Sequence, residues 1–109
     1  RLIRAGEGPR VPAGEATSYT ATLLAASPPG ARRDVYLITA EPGTPRRSAP
    51  HAHGTQEHVV LAAGRALVGP SDAPVELHPG DYLAYPGDEP HVFDALEAGT
   101  TAVLLSERS

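Results

Sequence analysis

Short apolar segments alternate with turns along almost the whole chain, and few windows have the period of an amphipathic helix. Clusters of Gly and Pro separate the segments, as at 27–30, 41–43, 78–81 and 86–88. Many short strands at roughly 8–12-residue spacing are typical of an all-β sandwich or barrel. The predicted strands are Thr17–Leu24, Val35–Ala40, Glu57–Leu61, Arg65–Val68, Val75–Leu77, Tyr82–Tyr85, His91–Ala95 and Thr101–Leu105, with Arg1–Arg4 as a candidate edge strand.

The chain has the length of one domain. Its 109 residues allow one modest core, because a domain of this size buries roughly 60–70% of its surface on folding. We expect a single domain over 1–109, with N-terminal strands in 1–34 and the main barrel in 35–105. The chain contains no Cys, which excludes a disulfide framework and a thiol nucleophile. It has no apolar run near the ~20 residues that cross a bilayer, so we expect a cytoplasmic protein without a membrane partner.

The charge is acidic, with a formal net value of -4. All nine basic residues are Arg, and they are scattered apart from the pairs at 32–33 and 46–47. Nucleic-acid binding needs a basic patch, so we expect this chain by itself not to bind nucleic acid. Because the sequence begins at Arg1 and contains no Met, we expect a processed product or, in preference, a piece of a longer protein.

Four residues suggest metal chemistry: His51, His53, Glu57 and His91. Three imidazoles and one carboxylate form a ligand set for a divalent first-row metal. Residues two apart on a strand point to the same face, so His51 and His53 point together if their segment is extended. Gly54 permits a turn that returns Glu57 to the same side. We therefore predict one divalent ion per chain, with Fe, Mn, Ni, Co, Cu and Zn all left open by this ligand set.

These residues lie in two motifs that resemble those of the cupin superfamily, specifically its type 2 conserved barrel. The first motif is present as Gly43, a gap of seven residues instead of the usual five, His51-Ala-His53, three residues, Glu57, six residues and Gly64. In the second motif Gly80, Pro86 and His91 match in register, whereas Asp88 replaces the second Gly and Ala95 the final Asn. The resemblance implies a small jelly-roll-like β-barrel of about 8–10 short antiparallel strands.

The chain is similar in particular to the C-terminal cupin domain of Xre-type helix-turn-helix transcriptional regulators of bacteria. The similarity rests on residues 54–60, Gly80-Asp81-Tyr82 and residues 86–91. It implies a small-molecule-sensing and dimerisation domain whose DNA-binding domain is absent from this sequence. The alternative is a small metal-dependent enzyme, such as a dioxygenase, isomerase or lyase. We prefer the sensor because the sequence offers no clear general acid or base apart from Tyr82 or Tyr85, and we predict no catalytic residue.

Further residues are candidates for a ligand pocket. Val59 and Leu61 share the parity of Glu57, and Phe93 shares that of His91, so these three should line the interior. The candidate pocket residues are Tyr82, Tyr85, Phe93, Val59 and Leu61. Tyr82 and Tyr85 differ in parity, and only one of them should face inward.

The parity of His58 turns it away from the site. Asp88 is either a turn residue or an acceptor that orients His91, and Arg46 and Arg47 either lie in solvent or meet an anionic ligand at the pocket mouth. The apolar strand at 103–105 suggests a homodimer formed by sheet packing.

Overall fold

A computed structural model describes residues 1–11, 18–27 and 32–108 of the protein. Among these residues all regular structure is β, which confirms the predicted fold class. No helix in the described ranges is long and apolar enough to cross a membrane. The strands are β1 Arg10–Val11, β2 Tyr19–Ala25, β3 Arg33–Ala40, β4 Arg46–Ser48, β5 Thr55–Ala63, β6 Ala66–Pro70, β7 Val75–Leu77, β8 Tyr82–Pro86, β9 His91–Ala95 and β10 Thr100–Arg108.

The strands form two antiparallel sheets. The larger sheet has the order β1-β2-β3-β10-β5-β8, and the smaller has the order β4-β9-β6-β7. β10 is central to the larger sheet, since it pairs with β3 on one side and with β5 on the other. This arrangement brings β5, which carries Glu57, and β9, which carries His91, into facing sheets.

Strand prediction succeeded wherever apolar residues were dense and failed at the N-terminal end and at β4. Arg1–Arg4 is not a strand; the edge of the larger sheet is formed by β1, which pairs with β2. The predicted strand from Thr17 begins at Tyr19 in the structure, and Thr17 itself lies outside the described residues. β4 has the sequence Arg-Arg-Ser and carries no apolar alternation, so the pattern gave no signal for it.

The core lies between the two sheets and follows the alternation of the strands. In β5, Thr55, Glu57, Val59 and Leu61 are buried, and the residues between them are more exposed. The same alternation in neighbouring strands supplies the rest of the apolar interior. The buried apolar cluster comprises Ala21, Ile38, Ala40, Val59, Leu61, Ala66, Val68, Leu77, Tyr85, Phe93, Ala95, Ala102 and Leu104.

Gly64, which ends the first motif, is required by the turn after β5. Its φ is 81°, a left-handed conformation that favours glycine. A Cβ at this position would also collide with Thr100, which is fully buried and donates its hydroxyl to the Glu97 carbonyl at 2.8 Å. The motif glycine therefore serves the closure of the barrel end and does not contact the candidate metal ligands.

Candidate metal centre

A cavity of about 570 Å³ opens between the two sheets. Its volume lies within the roughly 300–1,000 Å³ typical of small-molecule sites. The wall is mixed, with polar and charged side chains beside apolar and aromatic ones. Residues bordering it include Val11, Tyr19, Tyr36, Ile38, Arg46, Ser48, His51, Glu57, Tyr85, His91, Phe93 and Leu104.

Three of the four predicted metal ligands converge beside this cavity. One ligand atom from each of His51, Glu57 and His91 lies within 4.8 Å of the others. His51 Nε2 is 3.3 Å from Glu57 Oε2, and His91 Nε2 is 3.4 Å from Glu57 Oε1. The carboxylate therefore lies between the two imidazoles, with one oxygen directed towards each ring.

Glu57 is held by its strand and by one neighbouring hydroxyl. It lies on the inner face of β5, directly opposite Tyr85 of β8, and is only 3% exposed. The Tyr85 hydroxyl donates a 2.8 Å hydrogen bond to Glu57 Oε1. Burial, together with the nearby Glu57 charge, raises the pKa of Tyr85 well above its usual range. Tyr85 consequently stays protonated and acts as a donor that orients the carboxylate.

His91 is fixed through its second ring nitrogen. It is the first residue of β9 and is 4% exposed. Its Nδ1 lies 2.8 Å from the backbone carbonyl of Glu89. A carbonyl only accepts, so Nδ1 carries a proton, and Nε2 is the nitrogen directed towards Glu57. This outer contact is the kind that orients a metal-binding histidine. Of the two alternatives for Asp88, the structure favours the turn residue, because the backbone of Glu89 contacts His91 and Asp88 accepts from Gly54.

His51 is positioned by Gly87, a residue that sequence reasoning overlooked. The His51 N–H donates to the Gly87 carbonyl at 2.9 Å, and the Gly87 N–H donates to the Thr55 carbonyl at 2.8 Å. A Cβ on Gly87 would lie 2.9 Å from Glu57 Cγ and 3.0 Å from Thr55 Cγ2. Only glycine therefore lets the turn after β8 lie against Glu57 while it holds the His51 backbone.

His53 lies outside this group in the structure. Its segment is not extended as the parity argument required, because residues 52–54 form a bend and a turn that ends at Gly54 with φ of 85°. The His53 side chain is fully exposed, and its Nδ1 is 3.6 Å from Asp88 Oδ2. The same Asp88 oxygen accepts the Gly54 N–H at 2.8 Å. Asp88 thus stabilises the turn that carries His53.

The three converged residues suit a divalent metal. Two imidazole nitrogens and one carboxylate form a ligand set of intermediate softness. Such a set binds several first-row divalent ions and does not select among them. The buried carboxylate between two rings, and the carbonyl that fixes His91, are features of a prepared ligand set. When bound, such an ion would supply Lewis-acid character and open coordination positions for a small molecule. The role of His51, His53, Glu57 and His91 as metal ligands stays a prediction.

The candidate pocket residues divide into three groups. Tyr85 and Phe93 are buried and border the cavity. Val59 and Leu61 are fully buried in the core and do not border it. Tyr82 is 59% exposed and lies on the outer face of the larger sheet. The structure thus places Tyr85 inside and Tyr82 outside, as their opposite parity requires.

Two tyrosines of the cavity were missed by sequence reasoning. Tyr19 of β2 packs edge-on against Phe93, with ring centroids 5.6 Å apart. Tyr36 of β3 borders the same space. Burial raises the pKa of both hydroxyls, with Glu57 contributing to Tyr19 and Asp34 contributing to Tyr36. The alternation of their strands could be read from the sequence. Only the packing of the two sheets shows that the faces with Tyr19 and Tyr36 lie beside the candidate metal ligands.

The outer face of the larger sheet has its own polar cluster. His58 points away from the cavity, as predicted, and its ring stacks on Tyr82 with centroids 5.9 Å apart. His58 Nε2 donates to Glu107 Oε1 at 2.9 Å, and the Tyr82 hydroxyl lies 2.6 Å from His58 Nδ1. The hydrogen bond from His58, followed by that from Arg33, holds the pKa of Glu107 below its usual value.

The chain has clear relatives in family and in fold. A family model described as the cupin domain matches residues 36–106. No curated protein sequence matches the chain. An HTH_3-family transcriptional regulator from Vibrio cholerae shares 19% identity at a TM-score of 0.79, over 87% of this chain and 53% of that one. The chain therefore spans about half the length of that regulator.

Two further structures share the fold. The Cupin_2 domain of an XRE-family transcriptional regulator from Enterobacter cloacae is 22% identical at a TM-score of 0.77, covering 85% of this chain and 99% of that one. A sugar phosphate isomerase of the cupin superfamily from Silicibacter pomeroyi is 24% identical at a TM-score of 0.65, covering 86% and 62%. Since the family model matches well over half of the sequence, the chain belongs to the cupin domain family.

Proposed function

We propose that this cupin domain binds one divalent metal ion per chain and senses a small molecule in the adjoining cavity, as part of a bacterial transcriptional regulator. The observation that carries the proposal is the convergence of His51, Glu57 and His91 beside a cavity of ligand size. A metal there would offer open positions to a molecule that enters the cavity. The likeness in fold to cupin domains of two transcriptional regulators supports the regulatory assignment.

Metal binding is tested by elemental analysis. The purified chain is loaded in turn with Fe, Mn, Ni, Co, Cu and Zn, desalted and analysed, and about one ion per chain is expected for at least one metal. The double variant H51A/H91A should lose the ion. The matched control is His78→Ala, because His78 is an exposed histidine that pairs with Glu76 at 2.9 Å. A wild-type chain that retains none of the six metals would refute this part of the proposal.

The regulatory assignment is tested by the coding sequence upstream of Arg1 and by DNA binding. We expect the reading frame upstream of Arg1 to encode a helix-turn-helix domain, and the regulator with that domain to bind duplex DNA. The acidic 109-residue chain by itself should not bind it. A salt-sensitive gel shift by this chain, or an upstream frame without such a domain, would argue against a regulator. The domain would act inside the cell, together with the transcription machinery it controls.

Dimerisation through the outer face of the larger sheet forms part of the same proposal. Val103, Val60 and Tyr82 are direct cross-strand neighbours on β10, β5 and β8, and they are 39%, 43% and 59% exposed. We propose that this row packs against the same row of a second copy related by a twofold axis, the commonest symmetry of dimers. Light scattering at tens of micromolar should give a dimer mass for the wild type and a monomer mass for V60E/V103E. A monomeric wild type would contradict it.

A metal-dependent enzyme is the second candidate function. It is favoured by one observation, the protonated Tyr85 hydroxyl beside Glu57, which could donate a proton to a molecule bound at the metal. The raised pKa of Tyr85 makes its hydroxyl a weaker proton donor, however, which counts against this role. Turnover of a carbonyl or sugar substrate by the metal-loaded chain, abolished in Tyr85→Phe, would favour this candidate over the sensor.

A further inference from the structure

Three arginines border the cavity, Arg32, Arg46 and Arg108, and Arg46 is the one that is not exposed. Arg46 lies on β4, opposite Phe93, and Ser48 lies opposite His91 on the same pair of strands. Directly opposed residues of an antiparallel pair share a face, and residues two apart do as well. Arg46 therefore projects to the side of Phe93 and His91 and borders the cavity, while exposed Arg47 projects to the other side.

The guanidinium of Arg46 has no acidic partner among the described residues. No hydrogen bond or ion pair joins it to residues 1–11, 18–27 or 32–108, although it is half-buried. The acidic side chains that border the cavity have other partners. Asp34 accepts the Ser27 N–H at 3.0 Å, Glu57 accepts from Tyr85, and Glu107 pairs with Arg33 and His58.

The geometry of β4 sets the distance that a ligand must span between Arg46 and the candidate metal ligands. Arg46 is two residues from Ser48, the strand partner of His91, which places the two same-face positions about 7 Å apart along the strand. Beside Arg46 the wall is aromatic, because its cross-strand partner Phe93 packs edge to face against Tyr19. A molecule that reaches from the guanidinium towards the candidate metal therefore needs an anionic end and a short apolar body.

We infer that the cavity binds a small organic carboxylate, whose carboxylate pairs with Arg46 and whose apolar body packs on Phe93 and Tyr19. This inference rests on the proposed sensing function and names its ligand class. A guanidinium matches a carboxylate through two parallel hydrogen bonds. Arg32 and Arg108 border the cavity at exposed positions, so Arg46 is the arginine that lies beside Phe93 and faces the side of His91. One guanidinium at this point of the wall suits a monoanion better than a phosphate, which carries more charge and more acceptor oxygens to satisfy.

The test uses three probes of similar shape: benzoate, the neutral benzamide and phenyl phosphate. Binding to the full chain is measured by calorimetry with and without metal, and the Arg46 Nε–Hε resonance is followed by NMR. We expect benzoate to bind at least about tenfold tighter than benzamide and to shift the Arg46 resonance, as suits a hydrogen bond between charged groups. Arg46→Gln should lose this preference, whereas Arg47→Gln should keep it.

Arg46→Lys is the second variant. It retains the positive charge but cannot form the two parallel hydrogen bonds of a guanidinium, so it should keep part of the preference for benzoate over benzamide. Equal affinity for benzoate and benzamide, or equal behaviour of Arg46→Gln and Arg47→Gln, would overturn the inference. Phenyl phosphate bound more than about tenfold tighter through Arg46 would also overturn it, in favour of a phosphate ester. A chain that binds no metal but keeps the Arg46-dependent preference would refute the proposed metal function and leave the ligand class standing.

Discussion

The hydroxyl of Tyr85 lies 2.8 Å from Glu57 Oε1 and donates to it, across the β5–β8 pair where the two residues are direct partners. One strand thus supplies the candidate metal-binding carboxylate and its neighbour supplies the group that orients it. Both residues are nearly inaccessible, so this hydrogen bond is shielded from bulk solvent although it borders the cavity.

Tyr85→Phe should weaken metal binding by about 10- to 100-fold, the range typical of lost outer-shell partners. The substitution removes the donor and keeps the ring, so the cavity wall should stay intact. Affinity is measured by competition with a chromophoric chelator, with circular dichroism to check folding. Tyr82→Phe is the control, because the Tyr82 hydroxyl lies on the outer face beside His58. Equal affinities of the two variants would contradict an orienting role for Tyr85.

The predicted four-ligand site can be tested at His53. If His53 is the fourth ligand, metal addition must bring its exposed side chain towards His51, Glu57 and His91 and so reorganise the turn at residues 52–54. We expect the imidazole NMR signals of His51, His53 and His91 to move together on titration with Zn, and those of His58 and His78 to stay in place. A His53 signal that does not respond would reduce the site to the three converged residues.

Sequence patterns predicted most of the fold because apolar alternation is a local property. β5 and β10 bury alternate residues and β9 is almost wholly buried, whereas β4 is Arg-Arg-Ser and has no apolar residue. The candidate ligands His51, Glu57 and His91 could also be predicted, since the spacing of the motifs is visible in the sequence. The conformation of residues 52–54 was not readable, because it depends on the Asp88 carboxylate 34 residues away from Gly54.

The cavity wall was the least predictable part of the site. Tyr19 and Arg46 lie on strands of different sheets, and both contact the space in front of Phe93. Only the pairing of β4 with β9, and the packing of the two sheets, brings them together. Gly87 was hidden for a related reason: its function depends on the Glu57 side chain that packs against it, which is a tertiary contact.

Gly87→Ala should damage the metal site through packing alone. The added Cβ would lie 2.9 Å from Glu57 Cγ and 3.0 Å from Thr55 Cγ2, so the Glu57 side chain must move. We expect a loss of about 1–3 kcal/mol in the free energy of unfolding, as for other overpacked cores, together with weaker metal binding. Denaturant unfolding and chelator competition measure the two effects.

Gly80→Ala is the matched control for Gly87→Ala. A Cβ at Gly80 would meet nothing within 4 Å, but its φ of 91° disfavours a side chain. This variant should lose roughly 1 kcal/mol of stability through backbone strain and bind metal normally. If Gly87→Ala also bound metal normally, its close approach to Glu57 would have no part in the site.

The outer cluster of Glu107, His58 and Arg33 should make the stability of the fold depend on pH. The pKa of Glu107 is lowered in the folded protein by the hydrogen bond from His58 and, after it, by that from Arg33. A lowered carboxyl pKa adds stability above the ordinary Glu value of about 4.3, and this contribution is lost as the pH falls below that value. The stability difference between wild type and Glu107→Gln should therefore be present at neutral pH and shrink in acid.

The origin of the Glu107 shift can be separated residue by residue. Carbon-detected NMR titration should show the Glu107 pKa rising towards its ordinary value in His58→Ala, and rising by less in Arg33→Ala, because the His58 hydrogen bond is the larger cause. His78→Ala is the control, since His78 pairs with Glu76 and does not contact Glu107. A larger rise in Arg33→Ala than in His58→Ala would reverse the assignment. It would then make the Arg33 ion pair, at 3.0 Å on the sheet surface, the main stabiliser of the ionised carboxylate.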